Sequence, residues 1–264
     1  MSLRDLTFDI LFIGHSLVGP IMPDMLETAV TATGGTGRVE AQIINGASIK
    51  ANWEHSAEAE GVDSRRALPT GEYEVVVMTE AVPLINHLRW SETPVFVRKF
   101  YDLAVSNKPD VRVYIYETWH SVHSGTGKAV QWDDEDHIPW RTRISNDVVR
   151  WTGIVDEVNA QLGPGQPPVR LVPAGQAMGL LHDRIETGQV PGVSDISDVF
   201  IDDIHPNAIG NYFITLVQFA TIYGMKPDVL PSALGVDSSP SPALAEVLQD
   251  IAWEAVQATT AVTG

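Results

Sequence analysis

Cysteine is absent from all 264 residues, which excludes disulfides, thiolate metal sites and a cysteine nucleophile. No apolar stretch approaches the ~20 residues that a membrane-crossing helix needs. The opening residues, MSLRDLTFDI, show neither the apolar core nor the small-residue cleavage site of a signal peptide. The expected location is therefore cytoplasmic by default, or periplasmic or secreted if a leader has been removed. Basic side chains are scarce: 17 Lys and Arg stand against 34 Asp and Glu, a formal charge of −17. Nucleic acid and anionic membranes select for Lys and Arg patches, so neither is expected as a partner. A phosphate-cradling loop is missing too. Gly34-Gly35-Thr36-Gly37 follows a helical pattern instead of a strand and carries no Lys.

What is present is a globular composition, 44% hydrophobic and 19% charged, on a chain long enough to bury a sizeable core. Apolar runs at 8–13, 39–44, 73–78, 111–116 and 169–172 read as strands. Helical spacing lies between them, after Pro20, over 94–106, 144–162 and 173–185, then from Ile209 to Tyr223 and from Pro242 onward. Alternation of this kind predicts a single α/β domain over 1–264 with a mainly parallel sheet covered on both faces. One stretch breaks the rhythm. Residues 117–140 hold Trp119, Trp132, Trp140, three histidines and the acidic run Asp133–Asp136, and read as a long loop beside the site. A last helix is expected over 241–258.

Two short stretches carry chemistry. In FDILFIGHSLVG, Ser16 stands just past the end of the first strand. A turn there can present a hydroxyl to a substrate, with nearby N–H groups facing a developing anion. The simpler alternative is a Ser that caps the following helix. In Ile201-Asp202-Asp203-Ile204-His205-Pro206, a carboxylate and an imidazole stand three residues apart before a helix. One turn of chain would let Asp202 orient the ring of His205 as a general base. Here too a simpler alternative exists, in which Asp202, Asp203 and Asn207 compete to cap the helix and His205 lies on the surface.

Taken together, Gly14-His15-Ser16-Leu17 and Asp202-Asp203-Ile204-His205-Pro206-Asn207 resemble the first and last sequence blocks of the GDSL-type SGNH hydrolases. The resemblance implies a flavodoxin-like, three-layer α/β/α sandwich around a parallel sheet of about five strands. It also implies a serine esterase that needs no cofactor, with Ser16 as nucleophile, His205 as base and Asp202 as its partner. The oxyanion donors it implies are the backbone of Ser16 and of Gly46. His15 replaces the family's Asp beside the nucleophile. After the third strand the family's Asn is missing, because the chain reads Met78-Thr79-Glu80-Ala81. Thr79 is the expected substitute donor, since an ionised Glu80 can only accept.

His15, Glu80, Trp119 and His120 are the expected substrate contacts. An aromatic and acidic loop suits a sugar, and the resemblance implies frequent action on sugars, so acetyl removal from a carbohydrate is the expected reaction, with a short-chain acyl esterase, a thioesterase or a lipase as alternatives. A silent relative that binds a glycan or a protein is the reading from another class. Trp119 and His120 also fit a purely structural role, and Asp133–Asp136 reads as a solvated patch. His120, His123, His137 and Asp136 lack a tight metal motif, so no metal is expected. The acyl group, the leaving alcohol and the oligomeric state are not set by the sequence.

Overall fold

The computed structural model describes residues 6–235 and 239–263, with side chains through residue 259. The reading of the opening residues 1–5 lies outside these. Among the described residues, six strands form one sheet: β1 (Ile10–Gly14), β2 (Val39–Ile43), β3 (Glu60–Gly61), β4 (Val75–Met78), β5 (Arg112–Tyr116) and β6 (Val169–Val172). Their order is β3-β2-β1-β4-β5-β6. All neighbours are parallel except β2 and β3. The helices are α1 (Ile21–Ala32), α2 (Ile49–Glu54), α3 (Ser64–Ala67), α4 (Leu84–Trp90), α5 (Thr93–Asn107), α6 (Trp140–Asn159), α7 (Ala174–Glu186), α8 (Ala208–Tyr223) and α9 (Pro242–Thr263).

Side chains of β1 explain the layering. Ile10, Leu11, Phe12 and Ile13 are all buried, because neither face of the sheet meets water. Ile10 and Phe12 point into a core shared with α1, α7, α8 and α9. Leu11 and Ile13 point the other way, toward α2, α5 and α6. The result is the three-layer α/β/α sandwich expected from the strand–helix alternation.

Differences from the sequence reading have local causes. Strand β1 begins at Ile10 instead of Phe8, and the Asp9 N–H donates to the Glu74 carboxylate at 2.8 Å instead of to a neighbouring strand. Pro83, at the N-cap position, is followed directly by α4, a short helix outside the apolar periodicity of the sequence. The sixth strand, β3, is two residues pairing Gln42 and Ile43 of β2 in antiparallel register. A piece so short leaves no periodic signal.

Strand order positions the site. From β1 the chain passes to β2 on one side and then returns to β4 on the other. At such a switch the connections diverge and leave a crevice beyond the carboxyl ends of the strands. The turn after β1 opens into that crevice. Phe12, on the central strand and fully buried, tests the packing: Phe12→Ala is expected to lower unfolding free energy by about 3–5 kcal/mol, measured by urea denaturation.

Candidate active site

Ser16 leaves β1 in a turn whose Val18 N–H donates to the His15 carbonyl at 2.8 Å. It does not cap α1, whose N-cap position is Pro20. Instead its Oγ lies 2.9 Å from Nε2 of His205. The other ring nitrogen, Nδ1, donates to Oδ2 of Asp202 at 2.8 Å. Oδ1 of Asp202 accepts the backbone N–H groups of Ile204 and His205, at 2.9 and 2.7 Å. That contact fixes the tautomer: with Nδ1 protonated, Nε2 is left to accept from the serine hydroxyl. Burial alone would raise the Asp202 carboxyl, but the two N–H donors and the imidazole outweigh it and lower its pKa. The capping competition among Asp202, Asp203 and Asn207 is resolved in favour of Asn207, which accepts from Ile209 and Gly210 N–H. His205 is 35% exposed and Asp202 47%, so one side of the line of three faces solvent.

Two backbone N–H groups lie on the turns that follow β1 and β2. Pairing continues past β2, where Ile44 N–H donates to the Gly14 carbonyl at 3.0 Å, and draws the following residues alongside the β1 turn. Gly46 there has a left-handed backbone, φ +69°, with open space where a Cβ would point. Among the described residues, neither Ser16 N–H nor Gly46 N–H is taken by a protein acceptor. Thr79 does not join them. It is fully buried, its hydroxyl turns to the Glu80 carbonyl at 3.4 Å, and its methyl occupies the space over Gly14. A donor sealed from solvent cannot meet a substrate oxygen, so the expectation for Thr79 is corrected.

The four expected substrate contacts are corrected for the same reason: all are buried. His15 donates from Nε2 to the Glu80 carbonyl at 3.1 Å. Burial lowers its pKa to about 4, against the raising effect of that hydrogen bond, so the ring is neutral. Glu80 accepts from Thr93 Oγ1 at 2.6 Å, Ala81 N–H at 2.8 Å and Ile49 N–H at 3.2 Å. It thereby ties β4 to the start of α2 and of α5. Trp119 donates its indole N–H to the Ile204 carbonyl at 2.9 Å. His120 pairs through Nε2 with Asp147 of α6. All four support the site from beneath.

Nor is the acidic run solvated as a patch. Asp133 is buried against Arg143, Asp134 pairs with Arg89, and Glu135 binds Arg150 at 2.7 Å. These pairs pin the loop that links β5 to α6. Asp134 keeps about half of its side chain exposed in that pair, and two aromatic residues are exposed as well: Trp132 at 80% and, beside Arg89, Trp90 at 78%. Sequence reading passed over Thr93, Ser121 and Asp203 as site supports. A second carboxylate next to Asp202 was the available signal, since it also requires a donor.

No known family's sequence model matches the chain, and no curated protein matches it by sequence. Solved structures do resemble it. A DUF4886 family protein from Bacteroides uniformis aligns with a TM-score of 0.72 at 16% identity, covering 95% of each chain. A protein from Parabacteroides merdae described as a GDSL-like lipase gives 0.50 at 12%, over 84% of this chain and 96% of that one. A carbohydrate esterase family 3 protein from Talaromyces cellulolyticus gives 0.50 at 12%, over 83% and 100%. The chain has the fold of the GDSL-type SGNH hydrolases. In this SGNH fold the turn after β1 and the loop before α8 meet at one end of the sheet, as the 2.9 Å contact between Ser16 and His205 requires.

Two buried carboxyls give the fold a pH signature. Burial pushes Glu80 up to about 7 against its three donors, and Glu117 up to about 8 against Gln176. The folded state thus holds more protons than the unfolded state up to these values, so stability falls as pH rises through 7 to 8. Below about 6.5 the neutral, buried His15 works in the opposite sense. Between pH 6.5 and 8 the melting temperature is expected to fall with pH, and Glu80→Gln is expected to flatten that slope in thermal scans. An unchanged slope in the variant would remove Glu80 from the account.

Proposed function

We propose that the protein is a serine esterase acting through Ser16, His205 and Asp202. The observation that carries the proposal is the unbroken hydrogen-bonded line from Asp202 through His205 to the Ser16 hydroxyl. Ser16 Oγ attacks the ester carbonyl while His205 Nε2 takes its proton; Asp202 stabilises the imidazolium that forms. Negative charge collects on the former carbonyl oxygen, where Ser16 N–H and Gly46 N–H are its donors. Collapse expels the alcohol, which receives its proton from His205, and leaves an acyl-serine. Water then enters by the same route, with His205 again as base, and releases the acid.

Loss of one oxyanion donor typically costs ~10²–10³ in turnover. With Thr79 turned away and no Asn in the segment after β4, two donors predict a slow enzyme. Acetyl groups on a carbohydrate are the preferred substrate. The exposed faces of Trp90 and Trp132, whose neighbours Arg89 and Asp134 are ion-paired, support that choice. Flat aromatic faces beside polar groups suit a pyranose ring. Among carboxylic ester hydrolases the alternatives are a short-chain acyl esterase and a lipase, with a thioesterase beside them, and the missing Asn keeps the silent binding relative as the second reading.

Hydrolysis of 4-nitrophenyl acetate, a butyrate ester, an acetyl thioester and an acetylated oligosaccharide separates these. Wild-type protein is expected to act on the acetyl esters, and Ser16→Ala to fall by at least about 10³-fold. Equal inactivity of both across the panel would overturn the esterase reading in favour of the silent relative. Thr79→Val is expected to stay within about threefold of wild type, because its hydroxyl is sealed from the site. A loss near 10²-fold in that variant would return Thr79 to the oxyanion hole.

A further inference from the structure

Asp203 lies in sequence between the two members of the acid–base pair, and its carboxylate is bound by the Ser121 hydroxyl, not by His205. The loop that carries them, 200–206, is pinched at its base by the Phe200–Pro206 bridge, with Ile201 N–H donating to the His205 carbonyl at 2.9 Å. Beyond that pinch, a short segment after β5 holds it by three hydrogen bonds. Trp119 donates to the Ile204 carbonyl at 2.9 Å and Val122 N–H to the Asp203 carbonyl at 2.7 Å. The Ser121 hydroxyl donates to Oδ2 of Asp203 and in turn accepts His123 N–H at 3.1 Å. Ser121 itself is buried and its segment is anchored, since Trp140 donates to the His120 carbonyl at 2.9 Å and His120 pairs with Asp147.

We propose that Ser121 is a positioning residue for His205, which it controls by holding the Asp203 carboxylate. The inference rests on the esterase reading and deepens it. Two adjacent carboxylates stand next to one imidazole, and only Asp202 gives the ring the orientation that faces Ser16. A charged side chain released from its donor seeks another; His123 is already 3.8 Å from Oδ2 of Asp203, and His205 is two residues away on the same loop. The Ser121 hydroxyl keeps Asp203 occupied, so that Asp202 alone pairs with His205. Its loss lets the loop shift, and an error near 1 Å at a reacting group costs about 10²-fold.

The test compares Ser121→Ala and Ser121→Thr in the full chain. Ser121→Ala is expected to lower kcat on 4-nitrophenyl acetate by about 10- to 100-fold, with KM within about twofold. Ser121→Thr, which keeps the hydroxyl, is expected to recover to within about threefold. Proton NMR gives a readout independent of activity: the downfield resonance of His205 Nδ1–H is expected in wild type, lost in Ser121→Ala and restored in Ser121→Thr. Wild-type kcat and an unchanged resonance in Ser121→Ala overturn the proposal. So does a loss of activity that titration of active sites traces wholly to unfolded protein. If no ester is hydrolysed even by wild type while the resonance responds as expected, the positioning role stands and the esterase reading fails.

Discussion

The hydrogen bond between Ser16 and His205 joins residues 189 positions apart, and the rest of the molecule can be read as what brings those two atoms together. A sheet covered on both faces leaves only the ends of its strands open to a substrate. β1 lies between β2 and β4, so the turn after it is held from both sides: by the Ile44 N–H bond to Gly14 and by His15 reaching the Glu80 carbonyl. His205 arrives from a loop before α8, whose buried length packs against the same sheet face as α1. Two loops with independent anchors therefore meet at a fixed distance.

Beneath them lies a layer of buried polar groups that a simple core would not contain. Glu80, Thr93, His15, Glu117 and His120 are all sealed from water. Burying such groups is costly unless each finds partners. Here the partners are mostly backbone N–H and carbonyl groups at the ends of strands and the starts of helices. The partnering turns that cost into geometry, because a buried carboxylate with three donors resists being moved. The trade is visible in the raised pKa values of Glu80 and Glu117.

The fold was legible in the sequence because parallel strands buried on both faces leave continuous apolar runs, and five such runs match five of the strands. Gly14-His15-Ser16-Leu17 and Asp202 to His205 were legible for a different reason: their spacing is chemical and local. His15, Glu80, Trp119 and His120 are expected at the substrate and Thr79 at the oxyanion, and each stands at or just past the end of a strand. Position along a strand does not reveal which way a side chain turns, and all five turn inward. The acidic run misled similarly. Charge in sequence looked solvated, while Arg89, Arg143 and Arg150, from α4 and α6, were too far along the chain to be counted with it.

The account depends on Ser16 being a nucleophile activated by His205. Intact-mass analysis after exposure to an alkyl fluorophosphonate tests this directly, since such reagents form a stable bond to an activated serine. One adduct per chain is predicted, mapped by peptide analysis to Ser16, absent in Ser16→Ala and strongly slowed in His205→Ala. Labelling at another residue, or at Ser16 with a rate indifferent to His205, would contradict it.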